Sequence, residues 1–280
     1  MLLKAGRMPF ARDQGGFVVR PNMPGWLLPR PRDHGHGPLA MVVESLMTPG
    51  RVIAMHEHRN DEIISWVPEG VMRHSDRRGP DELIIDAEHL IVINAGRSIW
   101  HSDRTLPTDP PLRMLQIMVR PRALDLEPLI QHGRITASPR NAWRRIVGPE
   151  GSGAPFFVRS AIHVFDIRLD AGARVACPEL VGRDLYFYVH SGAVIAGGKQ
   201  FNEAEQGLLM GGGPLELEAT VPTVMIAFLT DPNATMVRAG TIGDTRQIPP
   251  PLLARPLLAL LRLRQRLGRR QPAAGASVSM

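Results

Sequence analysis

The sequence predicts an all-β protein of two like units, each a sandwich or small barrel, followed by a basic C-terminal segment. Three observations carry this reading. Short runs of β-branched and aromatic residues recur at regular spacing between turn signals. Turn formers are abundant, with 27 glycines and 26 prolines among 280 residues. A spacing pattern in the first half also returns 122 positions later, the mark of a duplicated unit. The 44% hydrophobic content is that of a globular chain, and the length suffices for two cores of ordinary size.

In chain order, residues 1–30 form an N-terminal arm in which charges interrupt the apolar residues. No secretory signal is expected there, and no stretch of the chain reaches the length of a membrane span. His34 and His36 lie among Gly and Pro, so they are expected in a loop, at the lip of a site or facing solvent. The first unit covers residues 31–147. Within it Arg51-Val52-Ile53-Ala54-Met55 and Ile63-Ile64-Ser65-Trp66-Val67 are strands, as are the apolar runs at 83–85 and 90–93. Gly70, Arg77-Arg78-Gly79-Pro80 and Ala95-Gly96 mark the turns between them. A short helix is expected at 123–132. Residues 148–155, Gly-Pro-Glu-Gly-Ser-Gly-Ala-Pro, read as a linker, and the second unit runs over 156–240.

The repeat is specific in position. Gly50, His56, His58, Glu62 and Gly70 correspond to Gly172, Pro178, Leu180, Asp184 and Gly192. Leu185-Tyr186-Phe187-Tyr188-Val189 matches the strand at 63–67. Pro178 and Leu180 cannot ligate a metal, and the last histidine is His190. A second site of the same composition is therefore excluded.

Candidate metal ligands concentrate in the first unit. His56, His58, Glu62, His101 and Asp103 fall within fifty residues of a chain that holds ten histidines. In a strand, side chains two apart share a face, so His56 with His58, and His101 with Asp103, point together. Two such strands side by side can surround one divalent ion with three imidazoles and a carboxylate. That donor set suits iron, manganese, nickel, copper or zinc and is a poor match for calcium.

Gly50-X5-His56-X-His58-X3-Glu62, followed by Gly70, resembles the first motif of the cupin superfamily. Within it, His56-Glu-His58-Arg59, the stretch from Glu62 to Gly70, His74-Ser-Asp76 and the stretch from Asn94 to Asp103 resemble the pirin family. Asp33-His34-Gly35-His36-Gly37-Pro38 and residues 115–121 are similar to further pirin segments, so the likeness spans about 30 to 122. The resemblance implies two tandem cupin (jelly-roll-like) barrels, with metal in the first only. It implies iron, or another divalent first-row ion, on His56, His58, His101 and the residue two beyond. That residue is Asp103, where the family has glutamate. Glu62, itself a ligand in many cupins, is the alternative fourth ligand; the closer local match favours Asp103 and leaves Glu62 as a nearby catalytic proton acceptor. Asn60-Asp61 also departs from the family pattern, which bears on the groups that orient the ligands.

The positive charge is local. Residues 251–280 carry six arginines and no acid. Without these six, the 33 basic residues fall to 27, equal to the 27 acids. Leu253, Leu257, Leu260 and Leu267 stand near helical spacing, so residues 241–280 are expected as a basic amphipathic helix and a disordered tail. That segment would dock on a protein partner or an anionic surface; no base-reading motif accompanies it, so sequence-specific nucleic-acid binding is not expected. The lone Cys177 excludes an internal disulfide, makes a reducing cytoplasmic location the default, and is expected as a buried small hydrophobe.

The resemblance implies an oxidoreductase: a metal-dependent dioxygenase like quercetin 2,3-dioxygenase, acting on a small enediol or flavonol with dioxygen. The alternatives are a metal-dependent regulatory protein of the transcription-cofactor kind and a degenerate, metal-free cupin.

Overall fold

The computed structural model of the chain describes residues 1–8, 11–76 and 81–244. Of the basic helix and tail expected at 241–280, residues 241–244 form a turn and the rest lies outside the described residues. Among the described residues the strands form four sheets, two to each half.

In the first half the larger sheet runs Leu129–Arg134, His89–Asn94, Glu62–Glu69, Leu112–Val119, Leu39–Met47, Phe17–Asn22 and Arg12–Asp13. The smaller sheet runs Val52–His58, Ile99–Arg104, Met72–Asp76 and Leu83–Ile85. In the second half the larger sheet runs Leu2–Ala5, Gln206–Leu209, Asp184–Ser191, Thr223–Thr230, Ile162–Leu169, Arg144–Pro149 and Phe156–Val158. Its smaller sheet runs Arg174–Ala176, Glu216–Ala219, Ala193–Ala196 and Lys199–Asn202. All pairs are antiparallel except Arg144–Pro149 with Phe156–Val158.

Strand alternation explains why the central strands read as continuous apolar runs: both their faces are buried. Ile63, Ile91, Ile93, Met114 and Met118 point into the first barrel. Their neighbours Ile64, Trp66, Val92, Leu115 and Ile117 point the other way. There they meet Tyr186, Tyr188, Ile226 and Phe228 of the second half, while Leu185, Phe187, Val189 and Ala227 fill the second barrel. The order of layers is thus small sheet, large sheet, large sheet, small sheet, with one core inside each barrel and a third between them.

The repeat is visible in the strands. Glu62–Glu69 and Asp184–Ser191 are 122 residues apart at both ends. Gly50 and Gly172 share a left-handed backbone, with φ of 75° and 80°, as do Gly70 and Gly192, with 91° and 85°. At Gly70 a Cβ would stand 2.6 Å from Leu112 Cα, and at Gly192 2.4 Å from Pro222 O. The same turn therefore needs glycine in both copies.

Three expectations change. Residues 123–132 hold no helix: Asp125 has φ 50°, and Leu129–Arg134 is a strand on His89–Asn94. Pairing to an open sheet edge overrides the local apolar spacing. Gly148 and Pro149 end the strand Arg144–Pro149, and residues 150–155 join it to Phe156–Val158 in the same sheet of the second half. In residues 1–30, Leu2–Ala5 pairs with Gln206–Leu209 of the second half, whereas Phe17–Asn22 pairs with Leu39–Met47 of the first. No described helix is long and apolar enough to cross a membrane.

Candidate metal centre

His56 and His58 end the strand Val52–His58, and His101 lies on its neighbour Ile99–Arg104, directly opposite His56. Between the pairs His101–His56 and Asp103–Ile53 the register slips by one residue, a β-bulge on the histidine strand. The extra residue lets Ile53 pack towards the barrel core while His56 still faces His101. Bulges of this kind re-aim side chains beside sites.

The three imidazoles converge. Their ring centroids are 4.4 Å apart for His56 and His101, 4.9 Å for His56 and His58, and 5.0 Å for His58 and His101. One ring nitrogen from each lies within 4.8 Å of the others. The second nitrogen is engaged elsewhere in two of them. His56 Nδ1 lies 2.9 Å from the Ala54 carbonyl, and His58 Nδ1 lies 3.0 Å from Asp61 Oδ2. Both acceptors fix the Nδ1–H tautomer and leave Nε2 with a lone pair. His58 Nε2 and His101 Nε2 are buried without a hydrogen-bond partner, while His101 Nδ1 makes only the 3.3 Å contact with Asp103 Oδ2. Burial holds His56 and His101 below the usual histidine pKa, so these rings are neutral near pH 7, the form that ligates metals.

Asp103 falls in a second group. It shares His101 with the first group and adds His74, but is not grouped with His56 or His58. Its Oδ1 is 2.9 Å from His74 Nδ1, and its Oδ2 is 3.3 Å from His101 Nδ1. Burial alone would push its carboxyl up; the His101 and His74 contacts outweigh that and hold it well below the usual carboxylate range. The His74 ring stacks on His101 with centroids 4.9 Å apart. Asp103 thus sits behind His101, joining it to His74.

Glu62 is not brought to the histidines. Alternation puts it on the face of Ile64 and Trp66, which looks away from the barrel interior. Its Oε2 accepts from the Arg159 backbone N–H at 2.9 Å and from the Asn94 amide. Burial pushes its carboxyl up to about 7 against these two donors. Its counterpart in the repeat does the reciprocal job: Asp184 Oδ2 lies 2.7 Å from His36 Nε2. His36 is buried, and His34 Nε2 lies 2.7 Å from the Gly243 carbonyl, so neither faces solvent.

The second copy lacks the supporting strand as well as the ligands. Arg174–Ala176 ends before Pro178, and Leu180 and Val181 stand exposed in the loop that follows. Cys177 packs beside the second core, and burial pushes its thiol up to about 12. It behaves as a small hydrophobe.

Residues 33–119 match the pirin family model. They form a pirin domain. Around this pirin domain the whole architecture is shared: YhhW of Escherichia coli superposes with a TM-score of 0.72 at 16% identity, over 82% of this chain and 97% of that one. YhhW in complex with nickel(II) gives 0.70, over 82% of this chain and 99% of that one. A quercetin 2,3-dioxygenase of Acinetobacter baumannii gives 0.70 at 17% identity, over 82% and 79%. Such identities establish a common fold, here a pirin-like bicupin. In sequence, quercetin 2,3-dioxygenase of Escherichia coli K12 is 27% identical over 107 residues, 38% of this chain and 46% of that enzyme. Rv0181c of Mycobacterium tuberculosis is 28% identical over 153 residues, 53% of this chain and 62% of its own. The chain thus spans less than two-thirds of either of these relatives.

Sequence reasoning singled out Asn60-Asp61 as bearing on the groups that orient the ligands, but did not identify His74 or the segment 240–244 as parts of the site's surroundings. Asp61 carried a signal, since it departs from the family pattern beside a ligand pair. The partners of Asp61 at Ile242 and Gly243 carried none.

Proposed function

We propose that this chain is a metal-dependent oxidoreductase of the quercetin 2,3-dioxygenase type. Its metal, iron in the first instance and nickel or another first-row ion otherwise, is held by His56, His58 and His101. One observation carries the reading: His58 and His101 present buried ring nitrogens without partners, aimed into a space shared with His56. Leaving such a group unsatisfied costs about 1–3 kcal/mol, which coordination would relieve. Three imidazoles suit first-row transition metals and not calcium.

A bound ion of this kind supplies Lewis acidity toward a substrate oxygen and open positions for small ligands. The chain's own residues do the rest. Asp61 and the Ala54 carbonyl fix the tautomers of His58 and His56. Asp103, with Oδ1 on His74 and Oδ2 on His101, holds those rings in place and stands beside the three histidines as the candidate carboxylate ligand. Glu62 faces the junction between the barrels, held by the Arg159 N–H and the Asn94 amide and turned away from the histidines. His58 and His101 are fully buried while His56 is half-buried, so a small enediol or flavonol and dioxygen would approach past His56. The barrel interior behind the site includes Met41, Met47, Met72, Met114 and Met118, flexible and polarisable side chains that exclude water and adapt to a planar guest.

Metal analysis by mass spectrometry tests the centre. Near-stoichiometric first-row metal in the purified protein, lost in His101→Ala, is the expected result. Absence of metal after anaerobic loading with iron would overturn it. Oxygen consumption by loaded protein across a panel of flavonols and enediols tests the activity, and no turnover on any of them would remove the dioxygenase assignment.

A further inference from the structure

We propose that Asp61 is a positioning residue of the metal centre, and that the segment 240–244, arriving from the far half of the chain, sets its aim. This rests on the metal-centre reading above. Asp61 is buried, and its carboxylate takes three donors: His58 Nδ1 and the Ile242 N–H on Oδ2, each at 3.0 Å, and the Gly243 N–H on Oδ1, also at 3.0 Å. Without the two backbone donors the carboxylate would have one neighbour and freedom to rotate about its side-chain torsions. With them it is fixed in the orientation that accepts from His58.

The segment is built for this approach. A Cβ on Gly240 would stand 2.1 Å from Asp61 Oδ1, and one on Gly243 would stand 2.9 Å from the same atom. Only a bare backbone can come so close. Thr241 ties the segment to the residue after His58: its N–H donates to the Arg59 carbonyl at 3.0 Å, and its Oγ1 accepts from the Arg59 N–H at 2.7 Å. The other side is anchored by the fully buried Arg120, whose Nε and Nη2 donate to Asp244 Oδ1 at 2.9 and 2.8 Å. His34 Nε2 holds the Gly243 carbonyl at 2.7 Å, and the Val237 N–H donates to the Pro121 carbonyl at 2.9 Å. A segment following the last strand of the second half, Thr223–Thr230, therefore closes over the first barrel and terminates in the hydrogen-bond shell of a ligand. Coupling of this kind is reciprocal: docking of the segment strengthens metal binding, and metal binding strengthens docking.

Cobalt(II) titrations of the full chain test this, using wild type, His101→Ala, Asp61→Asn and Gly240→Ala. The last forces the segment and the Asp61 carboxylate apart while leaving every ligand and Asp61 itself unsubstituted. Both Asp61→Asn and Gly240→Ala should bind cobalt about 10- to 100-fold more weakly than wild type, with an altered visible absorption spectrum of the bound ion. On wild type alone, hydrogen exchange of the Ile242 and Gly243 amides should slow when cobalt is added. Wild type that binds no cobalt would overturn the metal-centre reading itself. Wild type that binds, with Gly240→Ala equally tight and amide exchange unchanged by cobalt, would overturn the role of the segment alone.

Discussion

Replacing Glu62 with glutamine should flatten the pH dependence of unfolding between about pH 4.5 and 7. Glu62 is buried between the two barrels, and its carboxyl is raised from 4.5 to about 7 because burial disfavours the charge more than the Arg159 N–H and the Asn94 amide favour it. Below pH 4.5 the group is protonated in both folded and unfolded chains and has no effect. Above that value the unfolded chain ionises while the folded one keeps its proton, so the folded state binds more protons and stability falls as pH rises. The loss is complete once the pH passes about 7. Each tenfold change in proton affinity is worth about 1.4 kcal/mol, so the full penalty is on the order of 3 kcal/mol. For a chain of this size that corresponds to roughly 6–12 °C in Tm. Thermal and urea unfolding followed by far-UV circular dichroism at a series of pH values would yield the difference between wild type and Glu62→Gln. The difference should swing in favour of the variant across the window and then level off. Two curves that stay parallel from pH 4.5 to 8 would mean that Glu62 ionises normally in the fold, and the argument from burial would fail.

Arg120→Met should destabilise by about 3–5 kcal/mol, because it removes a fully buried guanidinium and leaves the half-buried Asp33 and Asp244 without their shared cation; a Tm within a degree of wild type would contradict this. Trp66→Phe removes the Nε1–H donor to Asp166 Oδ2 at 3.1 Å across the junction, with an expected cost of about 1–3 kcal/mol in urea unfolding. Arg144 still pairs with Asp166, which keeps the cost at the low end. Cys177 should react with a thiol reagent at pH 8 far more slowly than a free cysteine, since burial keeps it protonated; rapid labelling of the folded protein would show the thiol to be accessible.

Alternation makes much of this legible from the amino acids. The two-residue period and strand pairing place His56, His58 and His101 together, and the geometry brings the three together. The same period also sends Glu62 away, onto the face of Ile64 and Trp66, yet its spacing after His58 draws it into the expected ligand set. The spacing marks the repeat, and position 62 serves the junction in both copies, as Asp184 makes plain. Asp103 lies beside His101 as expected but turns to His74, a contact that depends on the neighbouring strand Met72–Asp76. The bulge before His56 has no local signal, because it is defined by what lies opposite. Residues 123–132 resemble a helix locally, but a free sheet edge, invisible to any local window, claims Leu129–Arg134. The hold of Ile242 and Gly243 on Asp61 spans about 180 residues of chain, beyond the reach of any pattern.

The second barrel has an apolar interior of Leu185, Phe187, Val189, Phe201 and Leu217, apart from the histidines of the first. It therefore constitutes an engineering reserve. Cores accept volume-conserving apolar exchanges at small cost and sometimes with gain, and here such exchanges lie in a different barrel from the histidines. Thermal tolerance can be raised in that half, and spent on mutating the half that carries the chemistry.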